Sequence, residues 1–222
     1  MGYWTYYLAW IGIAYFTRYP WLIVGVPLFF LMRKVVPDPV VWFRTAGRMS
    51  RLRAQIGANP ANVTARRDLA RLYLDRRRPK AALKLLDEAR LRAPDDAELL
   101  YLSGVARLRA GDAEGALEPL VRAVDTDARI SFGEPYLVAG DALRKLGRYP
   151  EAEDAYDRYA ASNTSSVEGL VKLALVREKQ GNAEGARKTL REASDTWGQL
   201  PAYRRRKEVG WWLRGHLARW VA

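Results

Sequence analysis

Two short apolar runs of helical period, parted by Ala110-Gly111-Asp112, make up the stretch Ala97–Ala123, AELLYLSGVARLRAGDAEGALEPLVRA. Such a break predicts two helices with a tight turn between them, because glycine enters the left-handed backbone region that ends a helix without a steric cost. The pattern recurs. Turn glycines stand at Gly111, Gly147 and Gly181, 36 and then 34 residues apart, and a small residue of the second helix returns as Ala82, Ala116, Ala152 and Ala186. The register gives four helix pairs: Val63–Pro94, Ala97–Ala128, a third from about Glu134-Pro135, and Val167–Ser194. A pair of this size buries only part of its apolar face, so neighbours must stack to complete a core and the two ends need covers.

The chain on either side supplies them. Asp38-Pro39, a capping carboxylate before proline at the first helical position, predicts a helix over Pro39–Ile56 with Trp42, Ala46, Met49 and Ile56 on one stripe and Arg44, Arg48 and Arg51 on another face. A last helix over Pro201–Val221 carries Arg204-Arg205-Arg206-Lys207, then Val209, Trp212, Leu213, His216, Leu217 and Trp220 on one face, with Trp211 off it. It reads as a capping helix, or as an interfacial helix touching lipid. His216 sits among aromatics as a packed side chain, since no second histidine exists to share a metal.

Tyr3–Met32 is almost wholly apolar and aromatic, interrupted by Thr17-Arg18-Tyr19-Pro20 and closed by Arg33-Lys34. As one straight helix it would measure roughly 45 Å against a hydrocarbon core of roughly 30 Å, and it would bury Arg18. The sequence therefore predicts an anchor in the form of a shallow hairpin or a kinked span, with a hydrophobic hairpin packed on the end of the repeats as the alternative. The cations from Arg33 to Arg53 place the following residues on the cytoplasmic side of the cell membrane. The expected segments are 1–36 as anchor, 37–61 as basic helix and linker, 62–200 as repeats and 201–222 as the capping helix.

From Asn62 to Trp197 the chain resembles the tetratricopeptide repeat (TPR) family. The residues that carry the resemblance are Leu69, Ala70, Tyr73, Ala82, Leu86, Ala89 and Pro94 in the first pair, Gly104, Gly111, Ala116, Leu120 and Ala123 in the second, Gly140, Gly147, Tyr149, Ala152 and Tyr156 in the third, and Leu173, Ala174, Gly181, Ala186, Leu190 and Ala193 in the fourth. Arg66 stands where the family has tryptophan, Arg77 at the turn glycine and Tyr159 at the last alanine of the third pair; two extra residues fall within Ile130–Pro135, and the fourth pair lacks its closing proline.

The resemblance implies an all-α solenoid whose first helices line a concave groove, here at Arg67, Arg71, Tyr101, Val105, Arg109, Leu137, Asp141, Lys145, Val171, Leu175 and Lys179. A mixed apolar and basic groove suits a protein segment with acidic and apolar side chains, arginine being the planar partner of carboxylates. The family's chaperone-tail clamp needs asparagine at groove positions that lack it here. Similar membrane-anchored bacterial TPR proteins have no defined activity.

Composition narrows the chemistry. Among 222 residues there is no cysteine and one histidine, which removes disulfides, thiolate catalysis and Cys/His zinc sites. No phosphate-cradling glycine loop or nucleophile–base pair occurs, so neither catalysis nor a cofactor is expected. The net charge of +12 calls for an anionic neighbour. A membrane-tethered adaptor is the leading reading, and binding of nucleic acid or anionic lipid through the basic surface is the alternative. Against nucleic acid, the arginines are spread over many helices and no recognition motif appears.

Overall fold

The computed structural model describes residues 39–221 together with Trp10 and Arg18, so the expected anchor over Tyr3–Met32 lies, those two residues aside, outside the described residues. The chain divides into two units after Arg48, and the second, from Met49 on, holds the repeats. Among the described residues, ten α-helices run from Pro39 on: α1 (Pro39–Ala58), α2 (Val63–Asp75), α3 (Pro79–Arg90), α4 (Ala97–Ala110), α5 (Glu114–Thr126), α6 (Glu134–Lys145), α7 (Tyr149–Ser162), α8 (Val167–Lys179), α9 (Ala183–Gln199) and α10 (Ala202–Val221). Helices α2 to α9 form the four expected pairs, in register.

Local chemistry sets these boundaries. The side chains of Asn62, Asp96, Ser166 and Asn182 each accept a hydrogen bond from the amide three residues on, at the starts of α2, α4, α8 and α9. Gly111, Gly147 and Gly181 end the first helices of three pairs with φ of 98°, 76° and 81°. At the fourth such turn Arg77 takes φ 55°, a conformation that costs a β-carbon about 1–2 kcal/mol. Arg77→Gly is expected to raise the unfolding free energy by about 0.5–1 kcal/mol, part of the relief being offset by glycine's freedom in the unfolded chain. Urea denaturation checks this, and no gain would show that the side chain of Arg77 outweighs the backbone cost.

Within each pair small residues let the helices close. A β-carbon on Gly104 would strike the Leu120 side chain, and one on Gly140 would lie 2.6 Å from the Tyr156 ring. Tyr159, bulky where the family has alanine, is nonetheless buried. Its ring packs on the next repeat at Gly169, where a β-carbon would sit 2.6 Å away, and its hydroxyl donates to Ser166 at 3.2 Å. The two extra residues before α6 are absorbed in the turn Ile130–Gly133, where Ser131, Phe132 and Gly133 all have positive φ.

Both ends of the stack are covered. Met49 and Leu52 of α1 are buried with Ala65, Leu69 and Leu72, with Ile56 packed beside them. At the other end α10 lies against α8 and α9, turned so that Trp212 of the expected apolar stripe packs while Val209, Leu213 and Leu217 do not. Trp211, Trp212 and Ala218 pack on Val171, Leu190 and Ala193, while Val209, Leu213 and Leu217 stay exposed. Gly215 decides the orientation, since a β-carbon there would sit 2.9 Å from Val171. His216 is exposed and stacks on Trp212 with ring centroids 5.4 Å apart.

Candidate concave groove

The first helices α2, α4, α6 and α8 share one orientation, so their N-terminal turns form one edge of a concave face and their C-terminal turns the other. Glu98, Glu134 and Glu168 stand in the first turns of α4, α6 and α8, and Arg109, Lys145 and Lys179 in the last turns. The arrangement matches the helix dipoles and gives the face an acidic and a basic edge. The basic edge was legible in the sequence. The acidic edge was missed, although its spacing of 36 and 34 residues repeats that of the turn glycines.

A cavity of about 500 Å³ opens on this face, with Tyr101, Val105, Leu137 and Val138 as its apolar part, Arg109, Arg144 and Lys145 along one side, Glu134, Asp141, Glu168 and Lys172 along the other, and Trp211 of α10 as its end wall. Six of the predicted residues therefore converge: Tyr101, Val105, Arg109, Leu137, Asp141 and Lys145. Val105 is buried and forms the floor. The other five do not join them. Arg67 and Arg71 both pair with Glu98, Arg67 at 2.8 Å, and tie the first repeat to the second. Val171 is fully buried, against Gly215 of α10, and Leu175 packs on the same cluster. Lys179 is exposed beyond the cavity. The groove is shorter than the four-repeat trough implied by family resemblance, because the C-terminal helix occupies the concave side of the last repeat.

Most charges in the groove are already partnered across repeats. The guanidinium of Arg109 donates to the Leu74 carbonyl at 3.1 Å and the ammonium of Lys145 to the Leu108 carbonyl at 3.4 Å, so each caps the C-terminal end of the preceding first helix. Tyr101 donates to Glu134; burial, and then this carboxylate, push the phenol well above its ordinary range. Lys172, itself buried, donates to Asp141 and contacts Glu168, both at 2.7 Å, while Tyr156 donates to the other oxygen of Asp141 at 2.8 Å. The Lys172 ammonium also lies 5.1 Å from the centre of the Trp211 ring.

Glu208 of α10 accepts a hydrogen bond from the Glu168 amide at 3.1 Å, so the last helix caps α8. Burial raises this carboxyl above its ordinary range, only partly opposed by that amide. Between its unfolded and folded pKa values the native state then holds the extra proton, and its contribution to stability falls as pH rises through that window. Glu208→Gln keeps an acceptor and removes the charge. The variant is expected to lose less stability than wild type between mildly acidic and neutral pH, as read from urea midpoints; parallel curves for the two proteins would refute it.

A second hollow, of about 600 Å³, lies between α5, α6 and α7, with Val121, Val124 and Tyr136 on its walls. Its rim carboxylates Glu151 and Asp154 are engaged by Arg148 and Arg158 at 2.5 and 2.9 Å. Although larger, it has no cationic side comparable to Arg144 and Lys145 of the groove, since its one lining arginine, Arg158, is held by Asp154.

Among the described residues no helix is long and apolar enough to cross a membrane. Tetratricopeptide repeat models match residues 48–105 and 137–201, together more than half of the chain. No curated protein matches it. Among solved structures, MamA is 22% identical with a TM-score of 0.64, over 69% of this chain and 91% of that one. MamA from Desulfovibrio magneticus RS-1, residue 41 to the end, is 22% identical with a TM-score of 0.55, over 60% and 75%. YrrB, described as a TPR protein with an unusual peptide-binding site, is 17% identical with a TM-score of 0.60, over 78% and 92%. At these identities the likeness is one of fold.

Proposed function

Since the chain is a tetratricopeptide repeat protein, of a family of interaction scaffolds that are typically non-catalytic, we propose that it is an adaptor that holds a segment of another protein in the groove between Tyr101 and Trp211. The observation that carries this reading is the cavity itself, an apolar floor with Arg144 exposed on its basic side and an aromatic at each end. An extended segment with apolar side chains towards Leu137 and Val138 and a carboxylate towards Arg144 and Lys145 satisfies both parts. The peptide-binding site named for YrrB supports such a use of the fold.

The tether is the second half of the proposal. The apolar stretch Tyr3–Met32 anchors the protein in the cell membrane, with the basic residues from Arg33 to Arg53 and the repeats on the cytoplasmic side. Confinement to a surface raises the effective concentration of any partner that shares it. Alkaline carbonate or high salt should leave the full chain in the membrane fraction; release would replace insertion by a peripheral mode.

Affinity recovery from detergent-solubilised membranes tests the groove. Arg71 and Arg109 are poor choices for reversal, because a glutamate at either would face Glu98 or the Leu74 carbonyl. Arg144→Ala with Lys145→Ala removes both cations from exposed positions and sets no carboxylate against Asp141 or the Leu108 carbonyl. That variant should recover the partner at least about tenfold less well, a change of about 1.4 kcal/mol, with its circular dichroism unchanged. Undiminished recovery by the folded variant would mean that another surface binds.

A further inference from the structure

We propose that α10 is a second, independent lipid-contacting element, which lies on an anionic membrane surface with Val209, Leu213 and Leu217 towards the acyl chains. These three residues follow at four-residue spacing on one line of the helix and are 42%, 50% and 67% exposed, although the opposite face is well packed. No further element of the described chain covers them. The helix holds six cations and a single acid, Glu208, which is turned inwards to cap α8. The outward side therefore carries no carboxylate. Arg206 continues the apolar line towards the N-terminus, Arg205 lies at one flank, and Lys207 and Arg214 lie at the other, all exposed.

The charge pattern selects the occupant. A narrow apolar stripe between two cationic flanks fits a surface that offers phosphates on both sides and hydrocarbon beneath, and the 20-residue helix, about 30 Å long, would lie in the headgroup plane. A second copy packed on the same face by a twofold axis would bring Arg205, Arg206, Lys207 and Arg214 against their own equivalents. Nucleic acid would meet the cations but bury none of the three apolar residues. Lipid contact here does not depend on Tyr3–Met32, and the groove remains open beside it.

The chain has no cysteine, so a single label reports one position without ambiguity. Full-length Leu213→Cys carrying an environment-sensitive fluorophore is reconstituted into phosphatidylcholine vesicles with and without phosphatidylglycerol, some containing brominated acyl chains. The expected result is a blue shift and at least about fivefold stronger bromolipid quenching in the anionic vesicles, reversed by about 0.5 M salt and lost in Arg206→Glu with Lys207→Glu. A label at Leu91, 85% exposed on the first repeat, should stay in water. The proposal fails if the label at position 213 stays in water, if neutral vesicles quench it equally, or if Leu91 is quenched as well. A shift that grows with protein concentration and ignores bromolipid would assign the face to a second copy and overturn it too.

Discussion

Tyr156→Ala is expected to lower the unfolding free energy by about 3–5 kcal/mol, the largest loss from a single truncation in the repeats. The side chain is fully buried, its ring lies on Gly140 of the partner helix, and its hydroxyl donates to Asp141 at 2.8 Å. Alanine leaves a cavity where α6 and α7 cross and removes a bond to a charged group. Tyr156→Phe separates the two contributions. It keeps the ring and should cost about 1.5–3 kcal/mol, the range for a hydrogen bond to a charge. Filling the same contact from the other side should also hurt: in Gly140→Ala the ring must move, at about 1–3 kcal/mol for overpacking, offset by up to about 1 kcal/mol of helix propensity. Urea denaturation of the four proteins gives the comparison. If Tyr156→Ala and Tyr156→Phe lose the same amount, the ring is not what holds the crossing together.

That crossing also shows why the fold was legible in the sequence. A close approach of two helices needs a missing side chain on one of them, so Gly104, Gly140 and the alanines of the second helices recur because geometry allows little else. The turns were legible for the same steric reason, and Arg77 shows that one turn tolerates the wrong residue at a modest cost. Where bulk on one element is answered by a gap on another, reading a repeat in isolation fails. Tyr159 looked too large for its place, and Gly169, in the next repeat, makes room for it.

The groove was legible only in part. Family register identifies which residues face inwards, and six of them line the cavity. It carries no information about what else lies there, and the ion pairs of Arg67, Arg71 and Lys172 arise between residues about 30 apart in sequence. The orientation of α10 misled for a simpler reason. Counting apolar residues chose the face with Val209, Leu213 and Leu217, whereas Gly215 allows the close approach that places Trp211 at the end of the groove.

Lys172 joins these features, and Lys172→Met is expected to cost about 2–4 kcal/mol, towards the lower part of the range for breaking a buried pair because Asp141 and Glu168 keep some exposure to water. Methionine preserves most of the buried stem but leaves two carboxylates that one ammonium had held together, and it removes the cation above Trp211. Adding Asp141→Asn should restore about half of the loss: one of the two charges disappears, and the amide oxygen can still accept from Tyr156. The groove should feel the change as well, since Lys172 links α8, α6 and the end wall. Amide hydrogen exchange in α10 should accelerate in Lys172→Met and recover partly in the double variant. A cost below about 1 kcal/mol, with exchange in α10 unchanged, would reduce the cluster to an ordinary surface ion pair and leave the end wall held by the packing of Trp212, Gly215 and Ala218 and by the Glu208 cap.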